Sequence, residues 1–206
     1  MTVHVARPDG IDAPVRPVRR IDPVFVPMAD GRRLAATLWL PEDATATPVP
    51  AIVEMIPYRR RDGTVFRDER MHPWVAGRGF ACCRLDIAGS GDSDGVLADE
   101  YTEAELDDAC AVIAWLAAQP WCTGAVGMQG ISWGGFNTLQ VAARRPTALK
   151  AVITLCASDD RYADDVHYMG GCLLTEEPLW SAYMLALAAL PPDPQTVGPR
   201  WREMWR

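Results

Sequence analysis

Apolar positions along this chain switch between two periods in a regular order. Val24-Phe25-Val26-Pro27-Met28 and Leu34-Ala35-Ala36-Thr37-Leu38-Trp39-Leu40 are strand-like runs on either side of Ala29-Asp30-Gly31-Arg32, whose Asp-Gly step signals a hairpin. After a polar, proline-bearing stretch over 42–50, Ala51 to Ile56 is a short continuous apolar run suited to a buried strand. Val65, Phe66, Met71, Trp74 and Val75 then predict a helix from Thr64 that closes near Gly77 and Gly79. Phe80 to Ile87 predicts a fourth strand. Thr102-Glu103-Ala104-Glu105 has the form of a capping box, opening a helix to about Gln119 with Leu106, Ala109, Cys110, Ile113 and Leu116 on its buried face. Ala125 to Gln129, a helix to about Arg145, and Ala151 to Leu155 continue the alternation. Strands that alternate with helices predict an α/β fold, a mostly parallel sheet with helices on both faces.

The two ends depart from this pattern. Residues 1–22, with Pro8, Pro14 and Pro17, read as an extended lead-in, so the core is expected over 23–156. Beyond it, 158–168 is polar, Trp180 to Leu190 is an apolar helical stretch stopped by Pro191-Pro192-Asp193-Pro194, and a second helix begins near Pro199.

Composition narrows the function classes. With 49% hydrophobic and 23% charged residues, 206 residues can bury a sizeable core, as one large domain or one domain with part of another. A net charge of -7, with no basic run longer than Arg59-Arg60-Arg61, argues against a nucleic-acid surface and for small or neutral substrates. The arginine run itself reads as a solvated surface feature. The first residues lack the apolar segment of a signal peptide, and no run approaches the roughly 18 apolar residues of a membrane span, so a cytoplasmic protein is expected. Six cysteines without a C-x-x-C pair read as reduced, mostly buried thiols and not as metal ligands. The three histidines are His4, His72 and His167.

That scarcity matters because Gly130-Ile131-Ser132-Trp133-Gly134 lies between a predicted strand and a predicted helix, the setting of a nucleophile elbow. A serine nucleophile needs a base in hydrogen-bond reach and an acid to orient that base. Only His167 follows Ser132, with Asp159, Asp160, Asp164 and Asp165 between them. The order suits a Ser, acid, His triad, but the segment directly follows the first strand beyond the elbow, which favours a structural histidine. The backbone N–H of Trp133 is expected in the oxyanion hole, with a second donor from the loop after strand three, Pro57-Tyr58-Arg59-Arg60-Arg61-Asp62-Gly63. Tyr58 offers a hydroxyl there, or an aromatic packed at the sheet edge. Gly89 to Gly95 lacks a P-loop lysine and reads as a turn in which Asp86, Asp92 and Asp94 satisfy backbone N–H groups.

Pro57-Tyr58, Asp86-Ile87-Ala88-Gly89-Ser90-Gly91-Asp92-Ser93-Asp94-Gly95 and Gly130-Ile131-Ser132-Trp133-Gly134-Gly135, in that order, resemble the CocE/NonD hydrolases, the cocaine esterase and X-prolyl dipeptidyl peptidase group. The resemblance spans roughly residues 20 to 200. It implies an α/β-hydrolase fold, Ser132 as nucleophile, Tyr58 as a hydroxyl donor in the oxyanion hole beside the Trp133 N–H, and an ester, Xaa-Pro peptide or β-lactam side-chain amide as substrate; no cofactor or metal is expected. Members of that group are longer, with a helical cap followed by strands bearing the catalytic Asp and His. By the resemblance, 157–206 is the start of the cap and no residue here receives the Asp or His role. The chain is thus expected to be truncated and nearly inactive alone; the alternative is a noncatalytic interaction protein that keeps a hydrolase half-fold. The substrate and the oligomeric state stay open.

Overall fold

The Asp30-Gly31 turn opens the sheet. In this computed structural model, which describes residues 15–205, β1 (Val18–Pro27) and β2 (Arg33–Pro41) pair antiparallel. Gly31 sits at φ +89° in the turn, and the Met28 N–H donates to Arg32 O. β1 starts inside the segment expected to be a lead-in. Its pairing shifts between Ile21 and Val24, so Pro23 falls at the irregularity, where a missing N–H is tolerated. Residues 1–14 of that lead-in lie outside the described residues.

Four further strands, β3 (Val49–Ile56), β4 (Ala81–Asp86), β5 (Cys122–Ile131) and β6 (Leu149–Leu155), complete a sheet of order β1-β2-β4-β3-β5-β6. β2 meets β4 antiparallel, and the remaining pairs are parallel. The crossovers run through α1 (Val65–Ala76), α2 (Glu103–Ala117) and α3 (Trp133–Arg144). Strand alternation sorts the helices onto opposite faces. Trp39 and Cys82 pack with Ala76 of α1. Their neighbours Leu38, Leu40, Cys83 and Leu85 pack instead with Leu106, Ala109, Ile113 and Leu116 of α2 and Val141 of α3.

Beyond β6 come a small hairpin, β7 (Tyr168–Met169) with β8 (Cys172–Leu173), and α4 (Glu177–Ala188), with Pro178 in its first turn. α5 (Pro194–Val197) and α6 (Trp201–Met204) follow, joined by a turn containing Pro199. Cys82, Cys83 and Cys122 are buried and Cys110 is half-buried, while Cys156 and Cys172 are exposed exceptions to the expectation of mostly buried thiols. Among the described residues no helix is long and apolar enough to cross a membrane.

Candidate active site

β5 ends at Ile131 and α3 begins at Trp133, leaving Ser132 alone between them at φ 56°, ψ −120°. A non-glycine residue holds such a conformation only where its surroundings impose it. Here the Ser132 N–H donates to Leu155 O at 2.8 Å, and Ser132 O accepts from the N–H groups of Gly135 (2.7 Å) and Phe136 (3.1 Å). The flanking glycines are required by contact distance. A Cβ on Gly130 would lie 2.1 Å from Gly134 O, and one on Gly134 would lie 2.3 Å from Ile56 Cγ2.

Tyr58 follows the carboxyl end of β3 and brings its hydroxyl to the elbow, where the Trp133 N–H donates to Tyr58 Oη at 3.3 Å. Burial pushes the Tyr58 hydroxyl above the ordinary tyrosine value, opposed by its hydrogen bonds with Ser132 and the Trp133 N–H. Ser132, Tyr58 and Trp133 therefore converge at one point, at the carboxyl ends of β3 and β5.

The loop carrying Tyr58 is built from the arginine run. Arg59 has φ 56°, and Arg59–Gly63 forms a π-helical turn in which the Gly63 N–H donates to Tyr58 O at 3.0 Å. Arg59 and Arg60 are buried, correcting the solvated-surface expectation. The Arg59 guanidinium donates to Leu190 O and Pro191 O, both at 2.8 Å, tying the loop to the end of α4. The Arg60 N–H donates to Asp86 Oδ1 at 2.7 Å, while its guanidinium bonds Asp92 (2.6 Å), Thr37 (3.1 Å) and Asp22. Arg61 pairs with Asp193 at 2.6 Å. Asp22 and the turn carrying Asp86 and Asp92 neutralise Arg60, and Asp62 with the Leu190 and Pro191 carbonyls engages Arg59, so both guanidiniums can be buried.

The turn from Asp86 to Gly95 is structural, as its residues suggested. Asp94 Oδ2 accepts from the Arg33 N–H at 2.9 Å, and Ser93 Oγ accepts from the Ala35 N–H at 2.8 Å. Burial raises the Asp86 carboxyl above the usual carboxylate range, against the pull of Arg84 and Arg60.

Neither described histidine reaches the serine. His167 Nδ1 contacts Glu177 and its Nε2 lies 3.5 Å from Glu100. His72, on α1, stacks on Trp39 with ring centroids 4.8 Å apart. Together with Glu54 and Asp68 it forms a buried group with metal-ligating atoms, but Arg67 bonds Glu54 (2.6 Å) and Asp68 (2.7 Å), and Arg84 bonds Asp68 (3.0 Å). Two guanidiniums already neutralise those carboxylates, so the group fits an internal ion cluster and not a cation site.

Glu105 is the site residue that the sequence pattern misassigned. Half of the capping box forms, the Thr102 hydroxyl accepting from the Glu105 N–H at 3.3 Å. The Glu105 carboxylate instead accepts from Trp133 Nε1 and Asn137 Nδ2, both at 2.9 Å. A tryptophan directly after the elbow serine was the available signal, since a buried indole N–H needs an acceptor. Beside Trp133, a hollow of about 370 Å³ opens between residues 97–100 and α4, with Trp180 and Met184 on its wall.

The model of the family described as X-Pro dipeptidyl-peptidase (S15 family) matches residues 30–206. The cocaine esterase of Rhodococcus sp. (strain MB1 Bresler) is 35% identical over 163 residues, covering 77% of this chain and 27% of that protein. A CocE/NonD family hydrolase from Staphylococcus aureus superposes with a TM-score of 0.70 at 23% identity, over 82% of this chain and 33% of that one. An aminopeptidase from a marine sediment archaeon, Thaumarchaeota archaeon, superposes with a TM-score of 0.65 at 20% identity, over 88% and 32%. The fold is thus that of the α/β hydrolases of this type. The chain spans roughly a quarter to a third of the length of the proteins it matches.

Proposed function

Because the chain belongs to the X-Pro dipeptidyl-peptidase (S15) family, we propose that it provides the nucleophile and oxyanion hole of a serine hydrolase that cleaves ester or amide bonds through an acyl-enzyme at Ser132. One observation carries this reading: the strained Ser132 stands where the Trp133 N–H and the Tyr58 hydroxyl meet. Attack by Ser132 Oγ on a substrate carbonyl moves negative charge onto its oxygen. The Trp133 N–H, which donates to Tyr58 Oη here, and the Tyr58 hydroxyl are close enough for both to turn to that oxygen, and two donors in a partly dry site stabilise the charge more than water would. The raised Tyr58 hydroxyl keeps its proton at neutral pH, so it can act as a donor there.

Among the described residues no histidine hydrogen-bonds the Ser132 hydroxyl, since His167 is engaged by Glu177 and Glu100. Without a base at Oγ, acylation and deacylation both rely on water and the oxyanion donors, so this chain alone turns over slowly. Incubation with a p-nitrophenyl ester should release p-nitrophenolate with Ser132 acylated, slowed on the order of 10²-fold by Tyr58→Phe and abolished by Ser132→Ala. Equal release by the Ser132→Ala protein would show that the serine is not the nucleophile.

A further inference from the structure

We infer that Glu105 is a positioning residue for the oxyanion hole, fixing the Trp133 backbone N–H by holding the Trp133 indole from beneath. The inference rests on the reading of Ser132 as nucleophile. Trp133 occupies the first helical position of α3, where its backbone N–H has no partner within the helix. Its direction is set by the Ser132–Trp133 peptide plane, which follows from Ser132 ψ at −120° and from where the Trp133 side chain is anchored.

That anchor has a single polar fastening. The indole is 3% exposed, and its Nε1–H donates to Glu105 Oε1 at 2.9 Å. The same oxygen accepts from Asn137 Nδ2, which also donates to Met55 O at 2.9 Å, one residue before the end of β3. Glu105 therefore links α2, the first two turns of α3 and the strand that leads into Tyr58. Both oxyanion donors are referenced to one buried carboxyl oxygen. Tyr101 closes the remaining side, its ring centroid 5.1 Å from that of Trp133. The other carboxyl oxygen, Oε2, is buried without a partner, so one oxygen carries the contact and the geometry does not require a carboxylate. Loss of the anchor leaves the N–H in place chemically but free to tilt, and a displacement of about 1 Å at a reacting centre is worth on the order of 10² in rate.

The test is the saturation kinetics of Ser132 labelling by a fluorophosphonate in the full chain. Glu105→Ala should lower the limiting labelling rate about 10- to 100-fold with little change in half-saturating concentration, as expected for an interaction made mainly in the transition state. Trp133→Phe, which keeps the backbone N–H and most of the ring but removes the indole donor, should lower it similarly. The double variant should be no slower than either single one, and Glu105→Gln should restore most of the rate. Additive losses, or a Glu105→Ala protein that labels at the wild-type rate well below its melting temperature, would overturn the inference.

If wild type does not label at Ser132, the nucleophile reading fails, and a second readout still decides the role of Glu105. The backbone amide resonance of Trp133 should shift in both Glu105→Ala and Trp133→Phe and stay near its wild-type position in Glu105→Gln. An amide resonance unmoved by Glu105→Ala would refute the positioning role.

Discussion

Gly130→Ala tests the elbow through a contact distance that leaves little room for adjustment. The new Cβ would lie 2.1 Å from Gly134 O and 2.2 Å from Gly134 C, both backbone atoms of the following helix. Reaching ordinary contact requires the strand-to-helix turn to open by roughly 1.3 Å. Forced overpacking of this kind costs about 3 kcal/mol. For a chain of this size, that lowers the melting temperature by about 6–12 °C. The same opening would swing the Trp133 N–H away from Tyr58 and slow Ser132 labelling on the order of 10²-fold.

Gly127→Ala, on the same strand, supplies the control. Its Cβ would meet Ala151 O at 3.6 Å and Ile52 Cγ1 at 3.8 Å, which is ordinary contact. Removing a glycine there should change stability by less than about 1 kcal/mol. Differential scanning calorimetry and fluorophosphonate labelling of the two variants give the comparison. A Gly130→Ala protein that melts within about 2 °C of Gly127→Ala and labels as fast as wild type would refute the close crossing.

Other perturbations probe the supports around the site. Arg60→Met leaves Asp22, Asp86 and Asp92 facing one another without their shared cation, and should cost about 3–5 kcal/mol by urea denaturation. With Arg60 gone the Asp86 carboxyl is driven further up, so part of that loss should be recovered as pH falls towards the carboxylate range and the folded state takes up the extra proton. Burial also holds Glu105 above the usual carboxylate range. Its stabilising contribution is complete below the ordinary value and is lost as pH rises through the raised one. The melting temperature of Glu105→Gln relative to wild type should therefore climb as pH rises above the ordinary carboxylate range, and a constant gap would contradict this. Burial pushes the Cys83 thiol up to about 12 and raises Cys82 as well, while Cys156 and Cys172 are exposed. A thiol reagent should modify the latter two in the native chain and reach Cys82 and Cys83 only on unfolding, as peptide mapping would show.

Legibility in the sequence followed the range of the interactions. The Asp30-Gly31 turn, the buried run of β3, the 3.6-residue period of α2 and the glycine spacing about Ser132 are local signals, and each lies where its own residues placed it. Pro8, Pro14 and Pro17 marked 1–22 as an extended lead-in, yet β1 runs from Val18 because β2 supplies a partner along its length and a bulge absorbs Pro23. Arg59 and Arg60 looked solvated because the groups that let them be buried, Asp22, Asp86, Asp92 and the carbonyls of Leu190 and Pro191, come from distant parts of the chain, whereas Arg61 is exposed as its charge suggested. Glu105 was read through its three-residue spacing from Thr102, a local rule that tertiary contact with Trp133 and Asn137 overrides. The convergence of Tyr58 on the elbow needs the β3–β5 neighbourhood in the sheet, which periodicity alone does not specify.

Ser132, served by Tyr58 and Trp133, is the nucleophile in the proposed reaction. Its reactivity can be read by mass-spectrometric peptide mapping after exhaustive fluorophosphonate treatment. One adduct is expected, on the peptide containing Ser132, formed slowly in wild type, more slowly still in Tyr58→Phe, and absent in Ser132→Ala. An adduct on any other residue that persists in Ser132→Ala, or no adduct on the folded wild-type chain, would contradict it.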